Sequence, residues 1–335
     1  MLSPSSNMNT STITKINNTR GLQKIKKFLY RYDDYPKSIQ KGKYAFIIFG
    51  ILIPILHFFV FYLGINLTSI LLAFQETKYV AGVGEVTTFT LKNFQDIFRY
   101  LAMGGSQMGI AVKNTIQLFF VDLFMMVPIF IFAYCFSRNM KGSKFFRVVM
   151  YLPTIISGVA FSTMITSILQ DNVGALDVIV NKVFGVDLPG LFTSYEYAWP
   201  SVLGYCIWAG VYANLLILEG SIRRVSNEVV EAAMIDGAGT FTILTKVVIP
   251  GVWGTLSTLW ILKVAGLFTI SGPILLLTGG AYNTQTLNYW FYETVAVFGS
   301  YNLPAAGGIV FTILGLPIVW IFRKIMNKIS DKLEY

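Results

Sequence analysis

The sequence predicts an all-α integral membrane protein with six transmembrane helices and with both termini in the cytoplasm. The chain has 335 residues, of which 54% are hydrophobic and only 13% charged, whereas soluble domains carry about 25% charged residues. A helix needs roughly 20 mostly apolar residues to cross a hydrocarbon core about 30 Å thick, and six stretches meet that length. We place them at 44–74, 115–136, 148–169, 199–218, 252–277 and 305–322.

The distribution of Lys and Arg predicts the orientation of these spans. Twenty of the 26 basic residues lie in the two tails and in alternate loops, five lie in the other loops, and Lys263 lies inside a span. Because positive residues stay on the cytoplasmic side during insertion, this bias places both termini inside, which only an even number of spans permits. The same arrangement argues against nucleic acid as a partner, since the charge does not gather on one soluble face.

Three regions follow from this topology. Residues 1–43 form a basic cytoplasmic tail, 44–322 the transmembrane domain with a cytoplasmic loop at 221–250, and 323–335 a cytoplasmic C-terminal tail. The tail is poor in large apolar residues as far as residue 27, which predicts disorder there. The segment Leu22–Tyr35 is either a basic amphipathic helix lying on anionic lipid or a solvated basic tail.

The first outer loop, 75–114, contains a short predicted helix. Leu91, Phe94, Ile97 and Phe98 recur there at helical spacing and indicate a helix lying at the membrane interface. The second outer loop, 170–198, carries four acidic residues against one Lys, which suits an outward face.

The loop between the fourth and fifth spans reads RRVSNEVVEAAMIDGAGTFTILTKVVIPGVWG and is more apolar than a free cytoplasmic loop should be. Ser226 or Asn227 can cap a helix in which Glu228 and Glu231 place negative charge toward the positive end of the dipole. The residues predicted to share one face are Val229, Ala232 and Ala233. These small side chains would let the backbone of another protein approach closely.

Two glycines predict a turn after this helix. Gly237 and Gly239 permit backbone angles that other residues resist, so the first helix should end there and a second should begin near Thr240. Pro250 then marks the entry to the fifth span. The loop is therefore predicted to be a helix, a tight turn and a second helix.

This loop resembles the EAA signature of the permeases of binding-protein-dependent ABC importers. That pattern is Glu-Ala-Ala, three residues, Gly, nine residues, Ile, one residue and Leu-Pro. Val247 and Ile249 depart from it but keep branched apolar character. The resemblance implies that this chain is coupled to an ATPase through Glu231, Ala232, Ala233, Asp236, Gly237 and Pro250.

The flanking sequence is similar to the sugar-permease branch, typified by the larger, first permease of the maltose-type importer. The similar segments are EAAMIDGAG and those at 114–120, 145–160 and 275–298. The chain departs from that branch at Ala281, where Pro is frequent, and in having no large outer insert after the second span. The resemblance implies a type I ABC importer architecture and a carbohydrate cargo, an oligosaccharide.

The same resemblance implies the partners. They are a second permease forming a heterodimer, two copies of an ABC ATPase and an extracytoplasmic solute-binding protein, all at the cytoplasmic membrane of a bacterium. The chain lacks a GxxxxGK[ST] phosphate loop. We therefore expect a transport subunit without catalytic residues, metal site or cofactor of its own, with ATP and Mg bound by the partner ATPase.

Ionisable residues inside spans are functional candidates, because burying their charge away from water is unfavourable. At about 1.5 Å per residue, Asp122 and Lys263 both lie about 10 Å from the outer edge of their spans. We expect them to pair or to border one polar cavity. His57, also inside a span, is interpreted as a structural residue because it has no partner for a metal site or a proton relay.

Sugars bind to aromatic faces supplemented by amides and hydroxyls, which suggests residues for the substrate path. The candidates are Trp208, Tyr212, Asn214, Trp260, Lys263 and Asp122. The alternative for the aromatic residues is a packing or interfacial role. Ser271, Gly272 and Pro273 should break the fifth span, either beside a substrate path or as a packing kink.

Three other functions fit the sequence less well. The cargo of the importer could be another small polar solute, since the loop reports coupling rather than substrate. A channel or ion-gradient transporter would need no ATPase, but neither inverted repeats nor acidic relays are evident. A membrane hydrolase is disfavoured because one His and no HExxH leave no metal or nucleophile constellation.

Cys135 and Cys206 are expected to pack as small apolar residues.

Overall fold

A computed structural model describes residues 37–333 except 81, 83, 139 and 141. The N-terminal segment 1–36, with both interpretations of Leu22–Tyr35, lies outside the described residues. The chain divides into two compact units, Met1–Thr68 and Ser69–Tyr335.

The described part of the first unit is helical. Helix α1, Lys37–His57, leads into a π-helical segment, Phe58–Gly64, and then into α2, Ile65–Ala73, which ends in the second unit. The large side chains of this unit are apolar and exposed from Phe46 onward, a surface suited to lipid rather than to water. His57 packs against Phe61, with ring centroids 5.0 Å apart.

A β-hairpin opens the second unit and was not predicted. Strand β1, Gln75–Val80, pairs antiparallel with β2, Gly84–Phe89. Gly82 and Gly84 have φ angles of 86° and 91°, which a tight connection between strands requires. The Val and Thr residues on either side of these glycines are typical of strands and could have predicted the hairpin.

The predicted helix of the first outer loop is confirmed as α3, Lys92–Ala102. Of the four residues at helical spacing, Ile97 is buried and Phe94 half-buried, whereas Leu91 and Phe98 are 60% and 57% exposed. The helix packs on its Ile97 side, and its interfacial position stays a prediction.

The remaining elements of the second unit are helical. The helices are α4, Gln107–Ser137; α5, Ser143–Ile155; α6, Gly158–Ile168; α7, Ala175–Phe184; α8, Ala198–Gly210; α9, Leu215–Ile222; α10, Asn227–Ile235; α11, Thr240–Ile243; α12, Ile249–Ala265; α13, Ile274–Leu277; α14, Leu287–Ala296; and α15, Asn302–Leu333. A second π-helical segment, Leu244–Val248, joins α11 to α12.

Among the described residues, five helices are long and apolar enough to cross a membrane. A sixth is obtained if α5 and α6 form one span, although they are bent by 103° relative to each other. This pair covers the predicted third span, and the bend falls at Ile156, which is extended. The all-α membrane fold is therefore confirmed, apart from the hairpin. The count of six and the placement of the termini stay predictions.

The helical runs of the second and sixth spans, Gln107–Ser137 and Asn302–Leu333, extend beyond their predicted bounds, and the fifth and fourth spans differ in other ways. The fifth helical run is Thr240–Ala265 rather than 252–277, because it continues unbroken from α11 and ends before Gly266. The fourth runs over Ala198–Ile222 but is interrupted by turns between α8 and α9, where Asn214 adopts a left-handed φ of 59°. Asn tolerates this conformation better than most residues do.

The main core joins α4, α9 and α12. Met126, Ile129 and Ala133 recur on one face of α4 and are at most 1% exposed, and residues of α9 meet them at the same spacing. The buried residues of α9 are Leu215, Leu218 and Ile222. Because lipid is as apolar as these side chains, close packing rather than exclusion of water stabilises the contact.

A second core joins α3, α4, α14 and α15 around Ile97, Met108 and Leu287, all at most 1% exposed. Gly307 of α15 lies in this core, and a Cβ at its position would be 2.5 Å from the ring of Phe291. This contact requires glycine.

Candidate functional site

The first helix of the predicted coupling loop is α10. The Ser226 Oγ accepts a hydrogen bond from the Glu228 N–H at 3.2 Å, which confirms the predicted cap. Val230 is buried in the main core and Ala233 packs against it. The predicted shared face is therefore wrong in part: Val229 and Ala232 are exposed, whereas Ala233 faces inward. The reason is that α10 rests on the bundle through Val230, which lies near Ala233 around the helix.

The turn after α10 is a Schellman motif. Gly237 has a φ of +80°. Its N–H donates to the Met234 carbonyl at 3.0 Å, and the Ala238 N–H donates to the Ala233 carbonyl at 2.9 Å. These two bonds satisfy carbonyls that the end of a helix leaves free. The predicted end of the first helix is confirmed.

The second helix begins at Thr240, as predicted, but Pro250 does not separate it from the membrane span. The π-helical segment Leu244–Val248 directly precedes α12, in which Pro250 occupies the first turn. Proline has no N–H to donate within this run, and the helix is π-helical rather than α-helical immediately before α12. The loop and the span thus form one continuous helical run that can transmit movement.

The surface of the loop is open. Glu231, Ala232, Asp236 and Gly237 are exposed. Among the large apolar side chains of the loop, two that we did not single out are the most exposed, Ile235 at 87% and Phe241 at 77%. Their positions on either side of the glycine turn could have identified them in the sequence.

Side chains from three helices anchor this loop to the bundle. The Arg138 guanidinium, at the end of α4, donates to Asn227 Oδ1 at 3.0 Å. Glu219 of α9 is 4% exposed and lies 2.9 Å from Arg147 of α5 and 2.9 Å from Arg223. It also accepts a hydrogen bond from the Tyr151 hydroxyl at 2.5 Å. Sequence reasoning missed Glu219. It could have been identified as a carboxylate at the end of an apolar run.

The expected ion pair inside the bundle is present. Lys263 Nζ of α12 lies 2.6 Å from Asp122 Oδ1 of α4. The Lys263 side chain is 10% exposed and that of Asp122 is 29% exposed. Pairing neutralises two charges that would be unfavourable separately in a membrane.

Asp122 also borders a cavity of about 240 Å³, between interrupted helices. The cavity walls include Gly210, where α8 ends, and Gly272 and Pro273, in the segment after α12. Irregular backbone at membrane depth is tolerated only beside protein or a water-filled cavity. The predicted break at Ser271–Pro273 lies in this segment, but the helix already ends at Ala265.

The other predicted substrate-path residues do not line that cavity. Trp208 stacks on Phe161, with ring centroids 4.7 Å apart, and meets Tyr212 edge-on. Asn214 lies at the interruption of the fourth span, and the buried Trp260 Nε1 has no hydrogen-bond partner among the described residues.

Besides Asp122, two residues of the cavity wall carry a side-chain hydroxyl or thiol, and sequence reasoning did not propose them for the path. They are Tyr205, which shares a hydrogen bond with Ser162 at 2.9 Å, and Cys206. The edge of the Tyr205 ring meets Trp208, so an aromatic cluster adjoins the cavity.

Comparison with known proteins gives permease proteins of carbohydrate transport systems among the relatives, although no family model matches the chain. The galactooligosaccharides transport system permease protein GanP of Bacillus subtilis is 24% identical over 197 residues, 56% of this chain and 47% of GanP. The alpha-glucoside transport system permease protein AglF of Rhizobium meliloti is 31% identical over 119 residues. The chain thus spans about half the length of GanP and 35% of AglF.

A further relative is matched nearly end to end. The polygalacturonan/rhamnogalacturonan transport system permease protein YteP of Bacillus subtilis is 21% identical over 302 residues, 88% of this chain and 91% of YteP. Among solved structures, a bacterial ABC transporter involved in the import of the acidic polysaccharide alginate has a chain that superposes with a TM-score of 0.70. That match has 19% identity and covers 88% of this chain and 100% of the other.

These comparisons confirm the resemblance to the sugar-permease branch. The chain is a multi-pass membrane protein with the fold of an ABC importer permease, and it is related to permease proteins of carbohydrate ABC transport systems.

Proposed function

We propose that this chain is the membrane-spanning permease subunit of an ABC importer in the cytoplasmic membrane of a bacterium. It carries a carbohydrate, an oligosaccharide, that an extracytoplasmic binding protein delivers. It works as a heterodimer with a second permease and with two ATPase subunits. ATP and Mg bind to those partners, so this chain is a transport subunit rather than an enzyme.

The observation that carries this proposal is the exposed coupling loop. Helix α10 is fixed by a cap at one end and a Schellman motif at the other, yet it presents Ile235 and the small Ala232 to the outside. A partner of this loop must offer an apolar cleft, because exposed apolar side chains of this size mark interaction surfaces. We assign that cleft to the ATPase, with Glu231, Ala232, Ala233, Asp236, Gly237 and Pro250 as the coupling residues.

Coupling has a direct mechanical route in this arrangement. A push on α10 reaches the bundle through Val230, through the Arg138 bond to Asn227, and through the continuous helical run from Thr240 to Ala265. That run carries Lys263, whose partner Asp122 borders the membrane cavity. Movement of the loop would therefore shift the cavity wall.

The carbohydrate cargo is supported by the names of the relatives and by the chemistry of the cavity. The residues proposed for the path are Trp208, Tyr212, Asn214, Trp260, Lys263 and Asp122. Tyr205 joins them, because its hydroxyl and ring adjoin the cavity. Aromatic faces with a few polar groups are the usual means of holding a saccharide.

The test uses variants of the loop in cells that express the whole transporter. Glu231→Lys reverses a charge on the docking helix, and Gly237→Pro cannot adopt the φ of +80° found there. We expect both variants to reach the membrane in normal amount but to lose ATP-driven uptake of oligosaccharide. Gly239→Ala is the control, because Gly239 has an ordinary φ of −69° and open space around it. Normal uptake by both Glu231→Lys and Gly237→Pro would overturn the proposal.

A further inference from the structure

A second cavity, of about 530 Å³, is lined by residues at the start of α4, whereas Arg138 at the other end of α4 contacts the coupling loop. It is formed by the start of α4, the segment before α8, the segment between α13 and α14, and α14 itself. Its lining includes Tyr195, Tyr282, Asn283, Gln285 and Glu293. The volume falls within the range of about 300–1,000 Å³ that is usual for ligand pockets.

The loop that forms one wall, Gly279–Gln285, is held in an unusual conformation. Gly279, Gly280, Tyr282 and Asn283 all have φ angles between 56° and 77°. Left-handed angles at non-glycine residues persist only where the surroundings enforce them, and such positions cluster at binding sites. The loop is therefore shaped before any ligand arrives.

Hydrogen bonds from outside the loop enforce this shape. The buried Asn114 side chain donates to the carbonyl oxygens of Asn283 and Gln285, at 2.7 and 2.9 Å. The Tyr289 hydroxyl donates to the Gly279 carbonyl at 2.8 Å. Burial raises the pKa of Tyr289, and the charge of Glu293 adds to this, so the hydroxyl stays protonated at physiological pH.

Two tyrosines from separate parts of the chain meet at the cavity. The rings of Tyr195 and Tyr282 pack edge to face, with centroids 5.4 Å apart and planes at 79°. Tyr195 is 73% exposed, so most of its ring is free to contact a ligand. The face of an aromatic ring carries partial negative charge and attracts the C–H groups on one side of a sugar ring.

The polar groups of the cavity favour a ligand without negative charge. Glu293 provides the only charge among the lining residues, and one of its carboxylate oxygens accepts a hydrogen bond from Gln285 Nε2 at 2.6 Å. The remaining lone pairs of this carboxylate can accept hydroxyl protons, whereas a carboxylate on the ligand would be repelled. The described residues that line the membrane cavity include no cationic side chain, and Lys263 beside it is paired with Asp122.

We infer that this cavity is an outer subsite that binds a neutral oligosaccharide through Tyr195, Tyr282, Gln285 and Glu293. The inference rests on the proposed transport function and adds the class of sugar, since the Glu293 carboxylate disfavours uronate saccharides. Both cavities touch α4: Ile110 lines the first and Asp122 the second, about 18 Å apart along the helix axis at 1.5 Å per residue.

The test measures saccharide binding to the purified whole transporter in nanodiscs, without the binding protein. The probes are maltotetraose and galactotetraose as neutral saccharides and trigalacturonate as an acidic one. We expect at least one neutral probe to bind, and Tyr195→Ala to weaken that binding about tenfold. Tyr197→Ala is the matched control, because Tyr197 lies in the same segment, is exposed and does not line the cavity, and it should bind within twofold of wild type.

Glu293→Gln tests the charge argument separately. We expect this variant to bind trigalacturonate more tightly than wild type does, by about fivefold or more. Equal binding of a neutral probe by wild type and Tyr195→Ala would overturn the inference, as would a wild-type preference for trigalacturonate. The inference would also be overturned if Tyr195→Ala lost uptake but bound saccharide as wild type does. That result would mean that the cavity contacts the binding protein instead of the saccharide. A failure of the transport proposal itself would be recognised separately, because wild-type cells would then import none of the probes.

Discussion

Lys263 Nζ and Asp122 Oδ1 lie 2.6 Å apart, so that an ion pair joins α12 to α4 within the membrane-spanning helices. This contact links the helix that continues from the coupling loop to the wall of the membrane cavity.

Removing one partner of this pair should destabilise the protein. Asp122→Asn or Lys263→Met leaves the opposite charge unpaired at membrane depth, which is unfavourable by about 2.5–3.5 kcal/mol on insertion scales. The double variant removes both charges and should regain most of this free energy. Thermal unfolding in detergent, with membrane yield as a second readout, checks the prediction. Single variants as stable as wild type would contradict the pairing.

Glu219 should be important for stability although it lies outside the coupling signature. Glu219→Gln removes the carboxylate that Arg147 and Arg223 share, and it leaves the half-buried Arg147 without its counter-ion. We expect a loss of about 3 kcal/mol in the free energy of unfolding, the lower end of the range for breaking a buried pair. Glu228→Gln, an exposed carboxylate nearby, is the control and should be near neutral. Denaturant unfolding in detergent compares the two variants.

Neighbouring glycines of α15 should respond differently to the same change. A Cβ at Gly307 would be 2.5 Å from the Phe291 ring, whereas none of the neighbouring atoms lies within 4 Å of one at Gly308. Overpacking a filled core costs about 1–3 kcal/mol. Gly307→Ala should therefore lower the melting temperature, and Gly308→Ala should leave it unchanged or raise it slightly. Equal effects would show that this core is not closely packed.

The contact between the hairpin and α3 should depend on pH. The hydrogen bond from Lys92 lowers the pKa of Glu76 below its ordinary value of 4.5. A carboxyl group whose pKa is lower in the folded state contributes stability above its unfolded pKa and loses it as the pH falls through the folded value. Hydrogen exchange of β1 and β2, corrected for intrinsic rates, should thus accelerate on acidification below pH 4.5 in wild type. Glu76→Gln should show less of this dependence, and an identical profile would contradict the prediction.

Much of the fold could be read from the sequence because hydrophobic length and charge asymmetry act locally. The apolar runs, the cap at Ser226, the turn at Gly237 and the pairing of Asp122 with Lys263 each depend on few residues at known spacing. The coupling loop was the clearest case, since capping and glycine geometry set its form.

Other features depend on contacts between distant segments. The inward position of Ala233 follows from how α10 rests on the bundle, and the Arg147 contact to Glu219 joins residues of different helices. The shape of the outer cavity depends on Asn114 reaching the carbonyl of Asn283. Hydropathy carries no information on such contacts, and it also concealed the interruption at Asn214 inside an apolar run.

The most direct test of the central claim measures the energy source of uptake. Cells expressing the complete transporter, with a strain lacking this chain as control, are given labelled maltotetraose and galactotetraose, and ATP or the proton gradient is removed separately. We predict uptake of a neutral oligosaccharide that stops when arsenate depletes ATP, persists when a protonophore collapses the gradient, and is lost in Glu231→Lys. Uptake that survives ATP depletion and stops with the gradient, or that is normal in Glu231→Lys, would contradict coupling of this permease to an ATPase through α10.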